Sequence, residues 1–297
     1  MYHIPVLLHD VVDALNLQKD GIYVDATYGG GGHAKEILTH LDKGKLIGFD
    51  QDLDATKNVL ETNQLVFVRQ NFRYLKNFLR YLNFLPVDGI LADLGVSSHQ
   101  FDEAKRGFSI RFDDVLDMRM DADNPLSAQR ILNEYDENKL TKLFRMYGEV
   151  DGAYRIAKMI VQKRAVSEIR TTNDLKSAIS SVIPPHKENQ FLAKIFQALR
   201  IEINDEINAL KEFLMQAQQV LRPGGRLVVI SYHSLEDRLV KDFMRSGKFE
   251  GEAEKDLYGN DLSPFEVITR KPIIPTEEEI SKNNRARSAK LRAAKKR

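Results

Sequence analysis

The chain has 297 residues and no cysteine. Disulfides and thiolate metal sites are therefore excluded. Two kinds of nucleobase chemistry fall with them. Zinc-dependent cytosine deamination needs a Cys/His-bound metal, and methylation at pyrimidine C5 normally needs a cysteine nucleophile. Long apolar runs are also missing. None approaches the roughly 20 residues that span a bilayer, so no membrane partner is expected. The first residues, MYHIPVLLHDVV, lack a basic n-region and a small-residue cleavage site. A cytoplasmic location is the resulting expectation. The seven histidines show no metal-ligand spacing, so no metal is expected.

Net charge is only +1, which by itself offers a polyanion little. The charge is segregated, however. Residues 283–297 hold Arg285, Arg287, Lys290, Arg292, Lys295, Lys296 and Arg297 and no acid. Such a run reads as a disordered arm that contacts a polyanion, or as a solvated tail. The arm is the preferred reading, and its removal is expected to weaken RNA binding and flatten its salt dependence.

What is present is a globular composition, 42% hydrophobic and 29% charged, long enough for one or two domains. The first hundred residues alternate apolar strands (23–27, 45–50, 65–70, 88–95) with helical segments such as 33–41 and 53–61. Strands apolar at consecutive positions suit parallel strands buried on both faces, hence a doubly wound α/β sheet. From 124 to about 204 the pattern is helical. Asp136 is placed to cap one helix, and Arg155, Lys158 and Gln162 share a face of the next. Thr171 and Asp174 have capping-box spacing, and a long amphipathic stretch covers 188–221. A fifth strand follows in RPGGRLVVISYH, then a helix over 235–245 and an edge strand over 265–273. The expected division is one domain of residues 1–105 and 205–297, interrupted by a helical insertion, 106–204.

The most informative stretch is DATYGGGGH, residues 25–33, followed by Asp50 at the end of GKLIGFD. Glycines 29 to 32 let backbone approach a ligand without a Cβ in the way. An acid about twenty residues on, at the tip of the next strand, suits a ribose diol. Gly29, Gly31 and Ala34 also satisfy the G-x-G-x-x-A form of the dinucleotide fingerprint, so an NAD-dependent oxidoreductase is one reading. Asp25 before the turn, Asp93 at the end of the fourth strand and the PGGRLVVIS strand favour S-adenosyl-L-methionine instead. A non-catalytic RNA-binding or ribosome assembly factor is a third reading, carried by the helical region and the basic tail.

HIPVLL, DATYGGGGH, DLGVSSHQFD, RGFS, LDMRMD, PGGRLVVISYHSLEDR and NNRARSAKLR occur in this order along the chain. Together they resemble the bacterial ribosomal RNA small-subunit methyltransferase H family, also called MraW, over nearly the full length. The resemblance implies a class I, Rossmann-like, S-adenosylmethionine-dependent methyltransferase domain with an all-helical insertion. It also implies an activity on N4 of a cytidine in the decoding region of 16S rRNA, with the small ribosomal subunit as partner. A homodimer is compatible with it. His99 stands where many members carry proline.

The resemblance also implies roles for residues. Gly29, Gly31, Gly32 and His33 would hold the cofactor, the last three at its methionine end. Asp50 would hold the ribose hydroxyls, Phe72 would line the adenine pocket, and Asp93 and Gln100 would make further cofactor contacts. Asp93 also occupies the place of the catalytic acid in the Asp/Asn/Ser-Pro-Pro-aromatic motif of amino-methyltransferases. Here the sequence runs Asp93-Leu94-Gly95-Val96, so the aromatic is missing. Tyr232 and His233, at the tip of the fifth strand, are the candidates for stacking on the base. Glu236, Asp237 and Arg238 are expected in structural ion pairs. His3 and Pro5 belong to a block that would close over the site.

Overall fold

Along each central strand, successive side chains enter opposite layers. Val24 and Ala26, Ile47 and Phe49, Ile90 and Ala92, and Leu227 and Val229 face one buried layer. Tyr23, Leu46, Leu91, Val228 and Ile230 face the other. This is why the strands read as continuous apolar runs: both faces are covered. The computed structural model describes residues 5–259 and 262–297. His3 lies outside them.

In chain order the elements are α1 (Leu8–Leu15), β1 (Ile22–Asp25), α2 (Gly32–Thr39), β2 (Lys45–Asp50), β3 (Leu65–Arg69), α3 (Leu75–Tyr81) and β4 (Val87–Asp93). Next come α4 (Ser98–Asp102), α5 (Ala128–Glu134), α6 (Glu137–Gly148), α7 (Ala153–Arg164), α8 (Thr172–Ile179) and α9 (Glu188–Asn204). The chain closes with α10 (Glu206–Val220), β5 (Leu221–Ser231), α11 (Ser234–Ser246), β6 (Phe265–Val267), α12 (Glu277–Lys282) and β7 (Lys290–Lys296). The chain divides into two units, Met1–Gly95 with Asn208–Arg297, and Val96–Ile207.

The first unit is a seven-stranded sheet of order β3-β2-β1-β4-β5-β7-β6. The first five strands in that order are parallel, and β7 runs antiparallel between β5 and β6. This is the class I methyltransferase, Rossmann-like sheet. Its order reverses between β1 and β4, which opens a crevice at the carboxyl ends of those strands.

The last strand overturns one expectation. The basic tail is no disordered arm, because residues 290–296 are a strand inside the sheet. Leu291, Ala293 and Ala294 are fully buried. Arg292 is buried against α11, its Nε 2.6 Å from Asp237 Oδ1, and Lys290 Nζ lies 3.4 Å from the same carboxylate. Lys295 pairs with Glu266, and Lys296 lies over the Phe265 ring. Lys290, Arg292 and Lys295 are paired with acids of the same unit, so deleting 283–297 would remove a strand rather than an arm.

The second unit is helical. Its core gathers Phe108, Leu116, Met118, Ile131, Leu140, Phe144, Ile156 and Leu199, among others. Asp136 caps α6 by accepting the Lys139 N–H at 2.8 Å. Thr171 and Asp174 close a capping box on α8.

Two smaller expectations are corrected. Residues 53–61 give only one short 3-10 helix, Leu53–Asn58, capped by Asp52. The 188–221 stretch is two helices, parted where Asp205 adopts left-handed backbone, φ 49°. No helix among the described residues is long and apolar enough to cross a membrane.

Candidate active site

The carboxyl ends of β1, β2 and β4 each carry an aspartate: Asp25, Asp50 and Asp93. The parallel register brings these ends together around the glycine turn.

Gly29 and Gly31 of the turn have positive φ, 50° and 73°. At Gly31 a Cβ would also lie 2.9 Å from the Tyr28 hydroxyl. Around Gly30 a Cβ would meet nothing within 4 Å, so this side of the turn is open. Gly32 starts α2 under Pro5, whose ring leaves no room for an added Cβ. Tyr28 is the post behind the turn. Its ring packs edge-on to Phe67 and lies over Gly48, where a Cβ would approach it to 2.6 Å. Its hydroxyl donates to the Asn58 carbonyl and accepts the Leu60 N–H.

Asp50 accepts the Gly29 N–H on Oδ2 at 2.7 Å and the Asp52 N–H on Oδ1 at 2.8 Å. The Gln51 N–H is a third backbone donor to this carboxylate, and a lone pair that these three leave over can accept a hydroxyl. Burial pushes its carboxyl up to about 6. Asp25 is fully buried and likewise pushed up to about 6 by burial, against the pull of His33. Its Oδ1 accepts the Thr27 N–H at 3.1 Å, and its Oδ2 has no hydrogen-bond partner among the described residues.

Asp93 receives the Tyr232 hydroxyl on Oδ1 at 2.7 Å, and its own N–H donates to the Thr27 hydroxyl at 2.7 Å. Its Oδ2 lies 3.8 Å from His33 Nδ1, and 23% of the side chain is exposed. Burial pushes this carboxyl up to about 7 despite the hydrogen bond from Tyr232. Burial also drives the His33 imidazole below its ordinary range and the Tyr232 phenol well above its own. Three aspartates held above their usual range form a site short of positive charge. An orphaned buried oxygen, an open glycine face and a diol-ready carboxylate fit a cationic nucleoside such as S-adenosylmethionine. Asp50 would hold its ribose, the 29–32 turn its methionine end, and Asp25 and Asp93 its charge.

The other candidates are placed less simply. Phe72 is half-buried and packs edge-on to Phe213, with ring centroids 5.2 Å apart, as part of the sheet's core. Gln100 is buried in the helical unit, where it closes a capping box with Ser97 at the start of α4. His233 caps α11 in a box with Glu236 and keeps only 8% of its side chain exposed. A ring so enclosed has no open face for stacking. Tyr232 is better placed, beside Gly95, whose added Cβ would touch its ring at 3.5 Å. Asp237 makes the expected ion pair, with Arg292. Pro5 sits on the glycine turn, and the neighbouring Val6 carbonyl faces His33 Nε2 at 2.9 Å.

Three contributors were not anticipated: Tyr28, Thr27 and Glu279, whose Oε1 accepts the Leu7 N–H at 2.7 Å. A glycine in mid-strand, Gly48, was the available signal for Tyr28, since such a glycine marks close approach. Nothing local pointed to the other two.

The sequence pattern of the MraW methylase family matches residues 1–297. Ribosomal RNA small subunit methyltransferase H of Christiangramia forsetii is 55% identical over 296 residues, covering 99% of this chain and 98% of that protein. The protein of that name from Phocaeicola vulgatus is 53% identical over 298 residues, covering 100% and 98%. Among solved structures, an rRNA methylase from Streptococcus thermophilus aligns over 99% of both chains. Its identity is 14% and its TM-score 0.43, too distant to bear on the site.

Proposed function

Because the chain belongs to the MraW methylase family, we propose that it methylates ribosomal RNA of the small subunit, at the exocyclic N4 of a cytidine in the decoding region of 16S rRNA. The methyl donor is S-adenosyl-L-methionine, which supplies an electrophilic methyl group when bound. The relatives' name supports the RNA substrate. The observation that carries the target atom is the Asp93 carboxylate, at the crevice between β1 and β4 with one oxygen held by Tyr232.

The amine lone pair of cytosine is delocalised into the ring and attacks poorly. A carboxylate that accepts an N4 hydrogen biases that nitrogen toward sp3 and aims its lone pair. Orientation then supplies much of the rate. Positive charge that develops on N4 is stabilised by the same carboxylate. A carboxyl near 7 is also strong enough to take the proton that N4 must lose. The Tyr232 hydroxyl fixes Oδ1, and Oδ2, on the His33 side, is the oxygen left to take the proton.

The target base has to be turned out of its stack. With the C-terminal strand spent on the sheet, the helical unit is the reader of RNA in this proposal. Lys142 and Arg145 on α6, and Arg155 and Lys158 on α7, are exposed. None of the four makes an ion pair among the described residues. Tyr154 beside them is 52% exposed and offers a stacking face.

Labelled methyl transfer to small subunits lacking the modification, followed by nucleoside analysis, tests this reading. Label in N4-methylcytidine is expected. Label in any other nucleoside, or none, would overturn it. Thermal stabilisation by NAD and none by S-adenosylmethionine would support an oxidoreductase instead.

A further inference from the structure

His33 meets two groups through its two ring nitrogens. Nε2 lies 2.9 Å from the Val6 carbonyl oxygen, and Nδ1 lies 3.8 Å from Asp93 Oδ2. A carbonyl can only accept, so Nε2 carries the hydrogen and donates it. In a neutral imidazole the other nitrogen is then a bare lone pair. The nearest carboxylate oxygen to it, Asp93 Oδ2, lies at 3.8 Å, just beyond hydrogen-bond length.

The Val6 carbonyl is itself held. Leu7 adopts left-handed backbone, φ 53°, and donates its N–H to Glu279 Oε1 at 2.7 Å. Pro5, on the other side of Val6, packs on Gly32 at the start of α2. The segment from Pro5 to Leu7 is therefore a strap pinned at both ends, and its middle carbonyl selects the tautomer of His33.

We propose that His33 is a positioning residue for proton removal: anchored through Nε2 on the Val6 strap, it presents the Nδ1 lone pair to the proton that Asp93 Oδ2 takes from the substrate amine. This rests on Asp93 as the proton acceptor. Once N4 carries its new methyl group and a positive charge, one N4–H proton moves to Asp93 Oδ2. The bonding pair returns to nitrogen. The carboxyl O–H so formed faces the electron-rich Nδ1 across 3.8 Å, which steadies the neutral acid electrostatically, and the proton later leaves to water from the exposed edge of Asp93. Protonation of His33 is not required, which agrees with burial lowering its basicity.

The charged and titratable groups around this pair are Asp25 from β1, Tyr232 after β5, Glu236 from α11 and Glu279 from α12. Tyr232 favours ionised Asp93, whereas Asp25 and Glu279 favour charge on His33. A bare Nδ1 lone pair beside Asp93 favours the neutral acid over the carboxylate.

Two substitutions separate the two nitrogens. His33→Gln keeps a donor for the Val6 carbonyl and loses the acceptor toward Asp93. His33→Asn keeps an acceptor near the Nδ1 position and loses the strap. With His33→Gln, kcat at saturating cofactor is expected to fall on the order of tenfold, the acid limb of its pH profile to move to lower pH, and cofactor affinity to fall less than with His33→Asn. With His33→Asn, cofactor affinity is expected to fall and the acid limb to stay. An acid limb that does not move with His33→Gln would overturn the proposal.

A second readout needs no turnover. Nitrogen-15 shifts of the His33 ring in the full native chain are expected to report the neutral, Nε2-protonated tautomer. A carbon-13 titration is expected to place the Asp93 carboxyl lower in His33→Gln than in the native protein. An Nδ1-protonated ring, or an unmoved Asp93, would sink the idea even if methyl transfer occurs. A native protein that transfers no methyl group would instead sink the functional reading, and the two titrations would still decide the role of His33.

Discussion

The Tyr232 hydroxyl donates to Asp93 Oδ1 across 2.7 Å, joining the loop after β5 to the tip of β4. The bond orients the carboxylate and opposes the rise in its pKa caused by burial. Tyr232→Phe removes it and leaves the ring in place. We expect kcat to fall by roughly tenfold to a hundredfold, and the acid limb of the pH profile to rise above that of the native protein. Steady-state kinetics from pH 5 to 9 check both. An acid limb that falls or stays would separate Tyr232 from Asp93.

Asp25 and Asp50 are held near 6 and Asp93 near 7, each by burial. Their folded values lie above the unfolded value, so the folded chain keeps protons that the unfolded chain has released. Their contribution to stability is intact below the unfolded pKa and is lost as pH rises from about 4 through 6 to 7. A cationic ligand reverses the preference by favouring the ionised form. S-adenosylmethionine should therefore bind more tightly as pH rises, on the order of tenfold between pH 5.5 and 7.5, with release of protons. Calorimetry in buffers of different ionisation enthalpy measures both. Affinity that falls with pH would contradict the assignment.

The glycines of the turn should respond differently to one added methyl group. At Gly31 it meets φ 73° and the Tyr28 hydroxyl, so Gly31→Ala should cost about 1–2 kcal/mol of stability. At Gly30 it meets no protein atom, so Gly30→Ala should leave the melting temperature alone. If the open side admits the cofactor, the same change should weaken its binding. A Gly30→Ala protein with native affinity would show that the ligand lies elsewhere.

Arg292 is buried in β7 with Asp237 as its ion-pair partner. Asp237→Ala strands that charge and should cost roughly 3 kcal/mol by urea denaturation. Truncation before residue 283 should abolish cooperative unfolding, because β6 would lose the strand it pairs with.

RNA affinity should instead track α7. Arg155→Ala with Lys158→Ala is expected to leave folding unchanged and weaken binding. It should lower the slope of log affinity against log salt by about 1.5, the release expected for two phosphate contacts. An unchanged slope would remove this face from the RNA surface.

Much of the sheet was legible because β1, β2, β4 and β5 are apolar on both faces and end in polar residues. An acid after such a run falls at the carboxyl edge of a parallel sheet, so Asp25, Asp50 and Asp93 could be placed together. β7 was not legible. Its burial rests on Leu291 and two alanines, and three of its four charges, Lys290, Arg292 and Lys295, are paired with Asp237 and Glu266 from other elements. Residues 53–61 lacked the packing that would extend one 3-10 turn into a helix. His233 read as a stacking candidate because a single sequence does not show whether a ring faces solvent or folds back as a cap. The Thr27 to Asp93 and Glu279 to Leu7 bonds are tertiary and carry no local signature.

The assignment of Asp93 is tested most directly by single-turnover methyl transfer to small subunits with Asp93→Ala, alongside equilibrium binding of S-adenosylmethionine. The expected result is a methyl-transfer rate lower by roughly a hundredfold or more at saturating cofactor, which the variant binds more weakly, with the label that remains still on N4 of cytidine. Transfer at the native rate by a variant that binds the cofactor would contradict it.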